Sequence, residues 1–284
     1  MERIKIITDS VSDIPSEYIK KYDIEVVPLT INFGSKSYKD KVDISIEEFY
    51  KMVEESEDLP TTSQITPVEF IDTYKKFIDS YDHLIVITMS SKLSGTYQSA
   101  VTASQIEGIS EKVTVIDSKG ITLGQGLLVI EAARMASNGK NKEDIINRIN
   151  QMIDRLEYII VVDTLENLKK GGRISSTKAF IGEKLKIKPV LTMDNGNIIV
   201  MDKIRGRKKI IKWIIKTLKK KSIDFSNKTI GINHAMAEDM AKDLMEKVKE
   251  NFDVKEIVFG EVGCTVGVYA GTGAIAIHFQ NDIY

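Results

Sequence analysis

The sequence predicts an α/β protein of two domains: a parallel-sheet N-terminal domain with helices on both faces over residues 1–156, and a smaller mixed-sheet α/β domain over residues 157–284. Three observations support this fold class. The chain of 284 residues is long enough for two domains of ordinary size. Its first half alternates short β-branched runs with helical patterns, and its second half carries the hairpin signal Asn195-Gly196.

The first half contains apolar runs typical of strands that are buried on both faces. The runs are short and rich in Ile and Val, which predicts strands over residues 4–8, 84–88 and 113–116. Helical periodicity follows or separates these runs, at residues 45–55, 67–78, 94–106, 123–136 and 142–156. Such alternation is typical of a parallel sheet covered by helices.

The second half has a different pattern. A strand is predicted over residues 158–162, and the strands 187–193 and 197–202 flank the turn Asp194-Asn195-Gly196. Gly206 precedes a predicted helix over residues 207–221, which has an isoleucine-rich stripe. Strands at 229–233 and 274–279 enclose a further helix at 237–250. This mixture predicts the smaller α/β domain.

Composition excludes several classes of protein. Apolar residues make up 42% of the chain and charged residues 29%, which is typical of a globular protein and not of a disordered one. No apolar run reaches the roughly 18 to 20 residues that span a bilayer, and the N-terminal residues lack a signal-peptide pattern. Because Cys264 is the only cysteine, neither a disulfide nor a cysteine-rich metal site is predicted. We expect a cytoplasmic protein without stable membrane insertion.

Residues 203–221 form a basic segment that contains ten Lys or Arg residues and no acid. Its charge indicates either a docking face for a partner or the solvated side of a helix. A membrane-surface or nucleic-acid module is a weaker hypothesis, since the stripe opposite the lysines is better explained by packing on a sheet. No nucleic-acid partner is predicted.

Hydroxyl-bearing loops follow the predicted parallel strands, where ligands collect in sheets of this kind. They include residues 9–13, 90–96 and 117–118, and a further loop is predicted at 61–64. Ser94 and Gly95 begin a helix, where free N–H groups favour an anion. Hydroxyl and N–H donors suit a carboxylate that is held and oriented. The alternative is that Ser94, Thr61 and Ser12 only cap helices.

Patterns for catalysis and for cofactors are mostly missing. The segment around Ser94 lacks the upstream glycine of a nucleophile elbow, and no phosphate or dinucleotide loop occurs. Asp9 follows the first strand as a phosphatase nucleophile does, but position 11 is Val where a second Asp would serve as the acid. A hydrolase or phosphatase that uses Asp9 or Ser94 therefore stays the alternative function. No metal and no cofactor are predicted. Gly171-Gly172-Arg173 indicates either an anion site or a helix C-cap followed by a turn.

Several of these segments together resemble the DegV family. The similar segments, in chain order, are residues 8–15 (TDSVSDIP), 60–64 (PTTSQ), 90–100 (SSKLSGTYQSA), 116–118 (IDS), 168–174 (LKKGGRI) and 188–191 (KPVL). Each segment alone is a weak signal, but their order and spacing extend over nearly the whole chain.

The resemblance implies a non-catalytic, lipid-binding protein like the fatty-acid-carrying subunit of bacterial fatty acid kinase. Such a carrier buries a long-chain fatty acid in a tunnel between its domains. A separate kinase subunit phosphorylates the carboxylate to an acyl phosphate for phospholipid synthesis. By this resemblance Thr62 and Ser94 would hold the carboxylate, with Thr61, Ser63 and the Gly95 N–H as neighbours. Arg205 and the nearby Arg207 would face the kinase.

The sequence departs from the family pattern in its glycine-rich C-terminal segment. Tyr269 stands where the family usually has a histidine near the carboxylate, and Thr272 stands where a proline is common. A phenol can donate a hydrogen bond but does not become a cation near neutral pH. We therefore expect Tyr269 to take part in carboxylate binding.

Overall fold

The computed structural model describes residues 2–174 and 187–281. The strands, in chain order, are β1 Ile4–Asp9, β2 Glu25–Val27, β3 Thr30–Phe33, β4 Lys36–Lys39, β5 Thr61–Ser63, β6 His83–Thr88, β7 Val113–Asp117, β8 Leu156–Val161, β9 Ile187–Asp194, β10 Asn197–Arg205, β11 Thr229–His234, β12 Glu256–Glu261 and β13 Ile275–Gln280. The helices are α1 Ser16–Lys21, α2 Ile46–Glu55, α3 Pro67–Phe77, α4 Thr96–Ile106, α5 Thr122–Ser137, α6 Lys142–Arg155, α7 Glu166–Lys170, α8 Ile210–Lys221, α9 Glu238–Asn251 and α10 Cys264–Ala270.

The first half is built on a parallel four-stranded sheet with the order β2-β1-β6-β7. Every residue of β1 and β6 is buried, because helices cover both faces. Ile7 and Val86 pack with α3 and α4 on one face, whereas Ile6 and Ile87 pack with α5 and α6 on the other. The predicted parallel sheet with helices on both faces is confirmed.

The second half is built on a mixed six-stranded sheet with the order β10-β9-β8-β13-β11-β12. Only β11 and β12 pair in parallel within it. Asn195 and Gly196 connect β9 to β10 with φ angles of 45° and 85°, as a tight hairpin turn requires. Helices α8 and α9 cover one face of the sheet, and α5 contacts the other face. The predicted mixed α/β architecture of this half is confirmed.

Several predicted element boundaries shift in the structure. The helix predicted from Ser94 begins at Thr96, because the Ser94 Oγ accepts a hydrogen bond from the Thr96 N–H ahead of the first turn. The helix predicted from Arg207 begins at Ile210, after a short 3-10 turn at Arg207–Lys209. Helices α2 and α3 begin close to their predicted positions, since each has a capping box, Ser45 with Glu48 and Thr66 with Glu69.

The loop predicted at residues 61–64 is wrong, because Thr61–Ser63 forms strand β5. It pairs antiparallel with β3 at the edge of a small three-stranded sheet of order β4-β3-β5. Three polar residues show no apolar alternation and therefore carry no strand signal; the pairing of Ile31 with Thr62 comes from tertiary structure. The sequence analysis also predicted no strand at β2, β3, β4 or β12, and no helix at α1, α7 or α10.

The isoleucine-rich stripe of α8 packs into the core of the second sheet. Ile210, Ile214 and Leu218 are buried there. The stripe is therefore not available to insert into a membrane, which removes the structural basis of the membrane-surface hypothesis. Among the described residues no helix is long and apolar enough to cross a bilayer.

The boundary between the two predicted domains lies where the chain leaves one sheet for the other. Helix α6 ends at Arg155, and β8 begins at Leu156 in the second sheet. One hydrophobic cluster nevertheless contains residues of both halves, including Ile7 and Ile160. The division at residues 156 and 157 therefore stays a prediction.

Candidate functional site

A cavity of about 450 Å³ lies between the two halves of the chain. Its aliphatic walls come from both sides, with Val11, Leu29, Met89, Leu93 and Ile121 from the first half and Ile160, Val162, Leu168, Leu191, Ile198 and Val266 from the second. Its volume lies in the usual range for sites that enclose a small organic ligand. The aliphatic walls favour a ligand with a large apolar part.

Neutral donors from distant parts of the chain also line this cavity. Thr62 of β5, Ser94 and Gly95 before α4, and Tyr269 of α10 belong to its lining. The hydroxyl groups of Thr62 and Tyr269 are hydrogen-bonded at 2.6 Å, although 207 residues separate them in sequence. The structure therefore brings together four of the six residues that the sequence analysis assigned to the carboxylate.

The alternation of side chains along β5 separates Thr62 from its two neighbours. Thr61 and Ser63 are exposed, do not line the cavity, and lie near the Asn32 side chain, whose Nδ2 is 3.5 Å and 3.1 Å from their hydroxyl oxygens. Successive residues of a strand point to opposite faces. Thr62 is therefore the residue of this segment that faces the cavity.

Ser94 precedes Gly95, the N-cap of α4, and lines the cavity. Its Oγ accepts from the Thr96 N–H at 3.3 Å and is hydrogen-bonded to the Thr96 hydroxyl at 2.9 Å. In the described part of the chain the Gly95 N–H meets no acceptor, so it is free to bind a ligand atom. Ser94 therefore accepts one N–H of the first turn without being the N-cap, and anion binding at this turn stays a prediction.

Gly95 also leaves room for a residue that the sequence analysis did not assign. A Cβ at this position would overlap the Gln64 side-chain amide, which lines the cavity and donates to the Ser99 Oγ at 3.1 Å. Gln64 belongs to the DegV-like segment Pro60-Thr61-Thr62-Ser63-Gln64, so the sequence contained a signal for its place at the cavity. The glycine permits a close approach between β5 and the start of α4.

Arg173 is a second cavity residue that was not assigned to the ligand. Helix α7 ends in a Schellman-type cap: the Arg173 N–H donates to the Leu168 carbonyl and Gly172 has φ of 69°. The C-cap interpretation of this segment is therefore confirmed. The Arg173 guanidinium lies 5.1 Å from the centre of the Tyr269 ring, within reach of a cation–π interaction, and contributes a positive charge to the cavity.

Helix α10, which carries Tyr269, is held by buried acidic residues of the first half. Asp40 accepts from the Cys264 N–H and the Thr265 N–H at 3.3 Å each, and from the Thr265 Oγ at 2.7 Å. Asp13 accepts from the Gly263 N–H at 2.9 Å. Burial raises the pKa of Asp13, an effect that Lys41 partly offsets. These contacts fix the start of α10 relative to β5 and hence place Tyr269 beside Thr62.

Asp9, the nucleophile of the alternative hydrolase hypothesis, is fully buried and does not line the cavity. Its carboxylate accepts from the Met89 N–H at 2.7 Å, the Val11 N–H at 3.1 Å and the Gln125 amide at 3.2 Å. Burial raises its pKa to about 6, although these hydrogen bonds oppose the shift. The arrangement makes Asp9 a structural group that ties β1 to β6 and α5.

We expect Asp9 to make the protein less stable as pH rises from about 4 to about 6. In this window the folded state binds more protons than the unfolded state, because the folded pKa of Asp9 exceeds the ordinary aspartate value of 3.8. The free energy of unfolding then falls by up to about 3 kcal/mol as pH rises. Urea unfolding at a series of pH values should show that the free energy of unfolding of Asp9→Asn declines less steeply with pH than that of the wild-type protein. A decline identical to that of the wild-type protein would contradict this assignment.

Among the described residues that line the cavity with Ser94 there is no histidine. The Nε2 of His83 is hydrogen-bonded to the Thr114 hydroxyl, and that of His278 to the Asn233 side chain. Burial lowers the pKa of His278 to about 3, which keeps this imidazole neutral. The described residues that line the cavity combine neutral donors with the positively charged side chains of Lys92 and Arg173.

Arg205 and Arg207 lie on the protein surface, outside the cavity lining. Arg205 is the last residue of β10. The Arg207 guanidinium forms an ion pair with Asp163 at 3.2 Å, and Asp163 also pairs with Lys188 at 2.9 Å. Both arginines are therefore available to a partner, but Arg207 also has an intramolecular role.

The fold and the cavity define a class of protein: a two-domain α/β protein with a mainly aliphatic cavity between its halves. The family model described as an uncharacterised protein of the DegV family matches residues 3–282. The chain belongs to the DegV family.

Relatives and solved structures agree with this membership. The chain is 44% identical to a DegV domain-containing protein of Caldanaerobacter subterraneus over 280 residues, which cover 99% of each chain. It is 31% identical to a fatty-acid-binding DegV protein from Thermus thermophilus, with a TM-score of 0.92 over 99% of this chain and 100% of that one. It is 27% identical to a stearic-acid-binding protein from Eubacterium ventriosum, with a TM-score of 0.88 over 98% of each chain. DegV-family structural neighbours thus bind fatty acids.

Proposed function

We propose that this protein binds a long-chain fatty acid in the cavity between its two halves, without itself catalysing a reaction on it. The observation that carries the proposal is one cavity that combines aliphatic walls with a cluster of hydroxyl donors from Thr62, Ser94 and Tyr269. The fatty-acid-binding proteins of the same family and fold add support.

The aliphatic walls supply a driving force for binding. At about 0.8 kcal/mol per buried methylene, a chain with about fourteen methylenes would contribute on the order of 11 kcal/mol before the costs of association. The carboxylate contacts then orient the ligand, because a carboxylate placed among the aliphatic side chains would lose its hydrogen bonds to water.

The polar groups can satisfy a carboxylate without a histidine. In the Thr62–Tyr269 pair one hydroxyl donates to the other, which leaves the second proton for the ligand. The Ser94 hydroxyl and the Gly95 N–H provide further donors at the start of α4. Arg173 and Lys92, which both line the cavity, supply positive charge. Tyr269, in the position of the family histidine, would donate to the Thr62 oxygen, and Thr62 would donate to the carboxylate.

Native mass spectrometry of the purified protein, followed by lipid extraction, tests this proposal. We expect a co-purified mass that matches a fatty acid of about 14 to 18 carbons, which an aliphatic cavity of this kind would retain. Apo protein that also fails to bind added oleate and palmitate would contradict it.

We further propose that the bound fatty acid is presented to a separate, cytoplasmic fatty acid kinase subunit, which converts it to an acyl phosphate for phospholipid synthesis. The motif resemblance supports this step, and the exposed Arg205 and Arg207 give the kinase a basic surface to contact.

Reversing the charge of Arg205 tests the kinase step. We expect Arg205→Glu to lower the rate of acyl phosphate formation at least about tenfold at a fixed concentration of the kinase subunit, since a rim charge mainly affects association. Oleate binding should stay unchanged because Arg205 does not line the cavity. Lys219→Glu is a matched control at an exposed position of α8. Equal rates for both variants would contradict the assignment of Arg205.

A further inference from the structure

A second cavity, which we call the basic cleft, lies between helices α5–α6 and one end of the six-stranded sheet. Its volume is about 330 Å³. The cleft has walls from Glu131, Arg134, Arg148 and Arg155 on the helices, and from residues near the starts of β11 and β12. It shares no lining residue with the fatty acid cavity. It is therefore a separate candidate site.

Two of the arginines in the basic cleft are neutralised by neighbouring acids. Arg134 pairs with Glu256 at 2.8 Å, and Arg148 pairs with Glu131 at 3.3 Å. Arg134 also approaches Glu131 at 3.7 Å. These four charges form one balanced network, which holds the two guanidinium groups in place across the junction of the helices and the sheet.

The remaining charges of the basic cleft are unbalanced. Lys228 and Asp224 contribute one charge of each sign, and the Lys228 ammonium donates to the Asp224 carbonyl oxygen at 2.7 Å. Across residues 2–174 and 187–281, the side chains of Arg155 and Lys255 form no ion pair and no hydrogen bond. Two positive charges therefore face the cleft without a partner.

We infer that the basic cleft binds a phosphate dianion, held by Arg155 and Lys255 at the junction between α6 and the sheet. A phosphate monoester carries a charge of about −1.5 to −2 near neutral pH, which matches the two unpaired cations. Arginine provides a planar fork of donors for phosphate oxygens, and lysine provides a point charge. Gln280 adds a neutral donor to the same lining.

The shape of the basic cleft favours a small molecule. Its volume is near the lower end for sites that enclose organic ligands. Its floor includes the buried side chains of Leu127, Ile130 and Met152, which suits a phosphate that carries a compact organic group. Free phosphate and a phosphate monoester share the recognised chemistry, and two probes distinguish them.

Isothermal titration calorimetry of the full chain with inorganic phosphate and with phenyl phosphate tests the inference, in a buffer free of phosphate and sulfate. We expect one probe at least to bind at a ratio of one to one. Tighter binding of phenyl phosphate would identify a monoester as the ligand, and equal or weaker binding would identify free phosphate. Absence of binding by both probes would overturn the inference.

A double variant and a matched control distinguish phosphate binding in the basic cleft from a general effect of the protein's positive charge. Arg155→Gln with Lys255→Gln should weaken binding of the better probe at least about tenfold. Lys51→Gln with Lys112→Gln removes the same charge from exposed positions outside both cavities and should change the affinity less than about twofold. Equal losses in the two variants would overturn the inference. The single variant Lys255→Gln, at an exposed position, repeats the test if circular dichroism shows that the double variant does not fold.

Discussion

Alanine at both Thr62 and Ser94 should weaken oleate binding about 100-fold or more. Each hydroxyl would donate a hydrogen bond to the carboxylate, and a hydrogen bond to a charged group contributes about 1.5 to 3 kcal/mol. Losing two such bonds therefore costs about 3 kcal/mol at least, which corresponds to roughly two orders of magnitude in affinity. The aliphatic walls stay intact, so weak binding of the acyl chain should persist. Displacement of a fluorescent fatty acid by oleate measures the change.

The control for this prediction lies on the same strand. Thr61→Ala with Ser63→Ala removes two hydroxyl groups from the exposed face of β5, where they lie near Asn32 and not in the cavity. We expect this variant to bind oleate with wild-type affinity. If the two double variants lost affinity equally, the hydroxyls would act through the stability of β5, and the carboxylate site would have to lie elsewhere.

Replacing Asp40 by alanine should destabilise the protein by about 3 to 5 kcal/mol, because buried donors would lose a charged acceptor and each such loss costs about 1 to 3 kcal/mol. Asp40 is almost fully buried and accepts from the Ser10 hydroxyl at 2.9 Å as well as from Cys264 and Thr265. In Asp40→Ala these donors would stay buried without an acceptor, and each unsatisfied donor would lower the free energy of unfolding. Urea unfolding monitored by circular dichroism measures the effect.

The same substitution should also affect the ligand site. Helix α10 would lose the contacts at its first turn, so Tyr269 would no longer be held beside Thr62, and we expect weaker oleate binding at temperatures where the variant is still folded. Asp72→Ala provides the control, because Asp72 is exposed on α3. Unfolding free energies of Asp40→Ala and Asp72→Ala that agree within about 1 kcal/mol would refute the role given to Asp40.

The sequence alone determined most of the regular elements. Strands β1, β6 and β7 were predicted because buried parallel strands are continuous apolar runs, and the Asn195-Gly196 turn located the β9–β10 hairpin because few other residues adopt positive φ angles. Motif order also identified the DegV family, which the family model confirms over residues 3–282. The strand and turn signals are local, and the family signal lies in the order of motifs along the chain. A single sequence contains both.

Only the tertiary structure decided how the site is assembled. The family resemblance ranked Thr62 above Thr61 and Ser63, but the residue pattern itself does not distinguish them, because the face that each occupies depends on the pairing of β5 with β3. The contact between Thr62 and Tyr269 joins residues 207 positions apart, and the Asp40 network that supports it has no local pattern. Arg155 and Lys255 line the same basic cleft, which also results from long-range packing. Such contacts depend on long-range packing, which the local periodicity of a sequence does not specify.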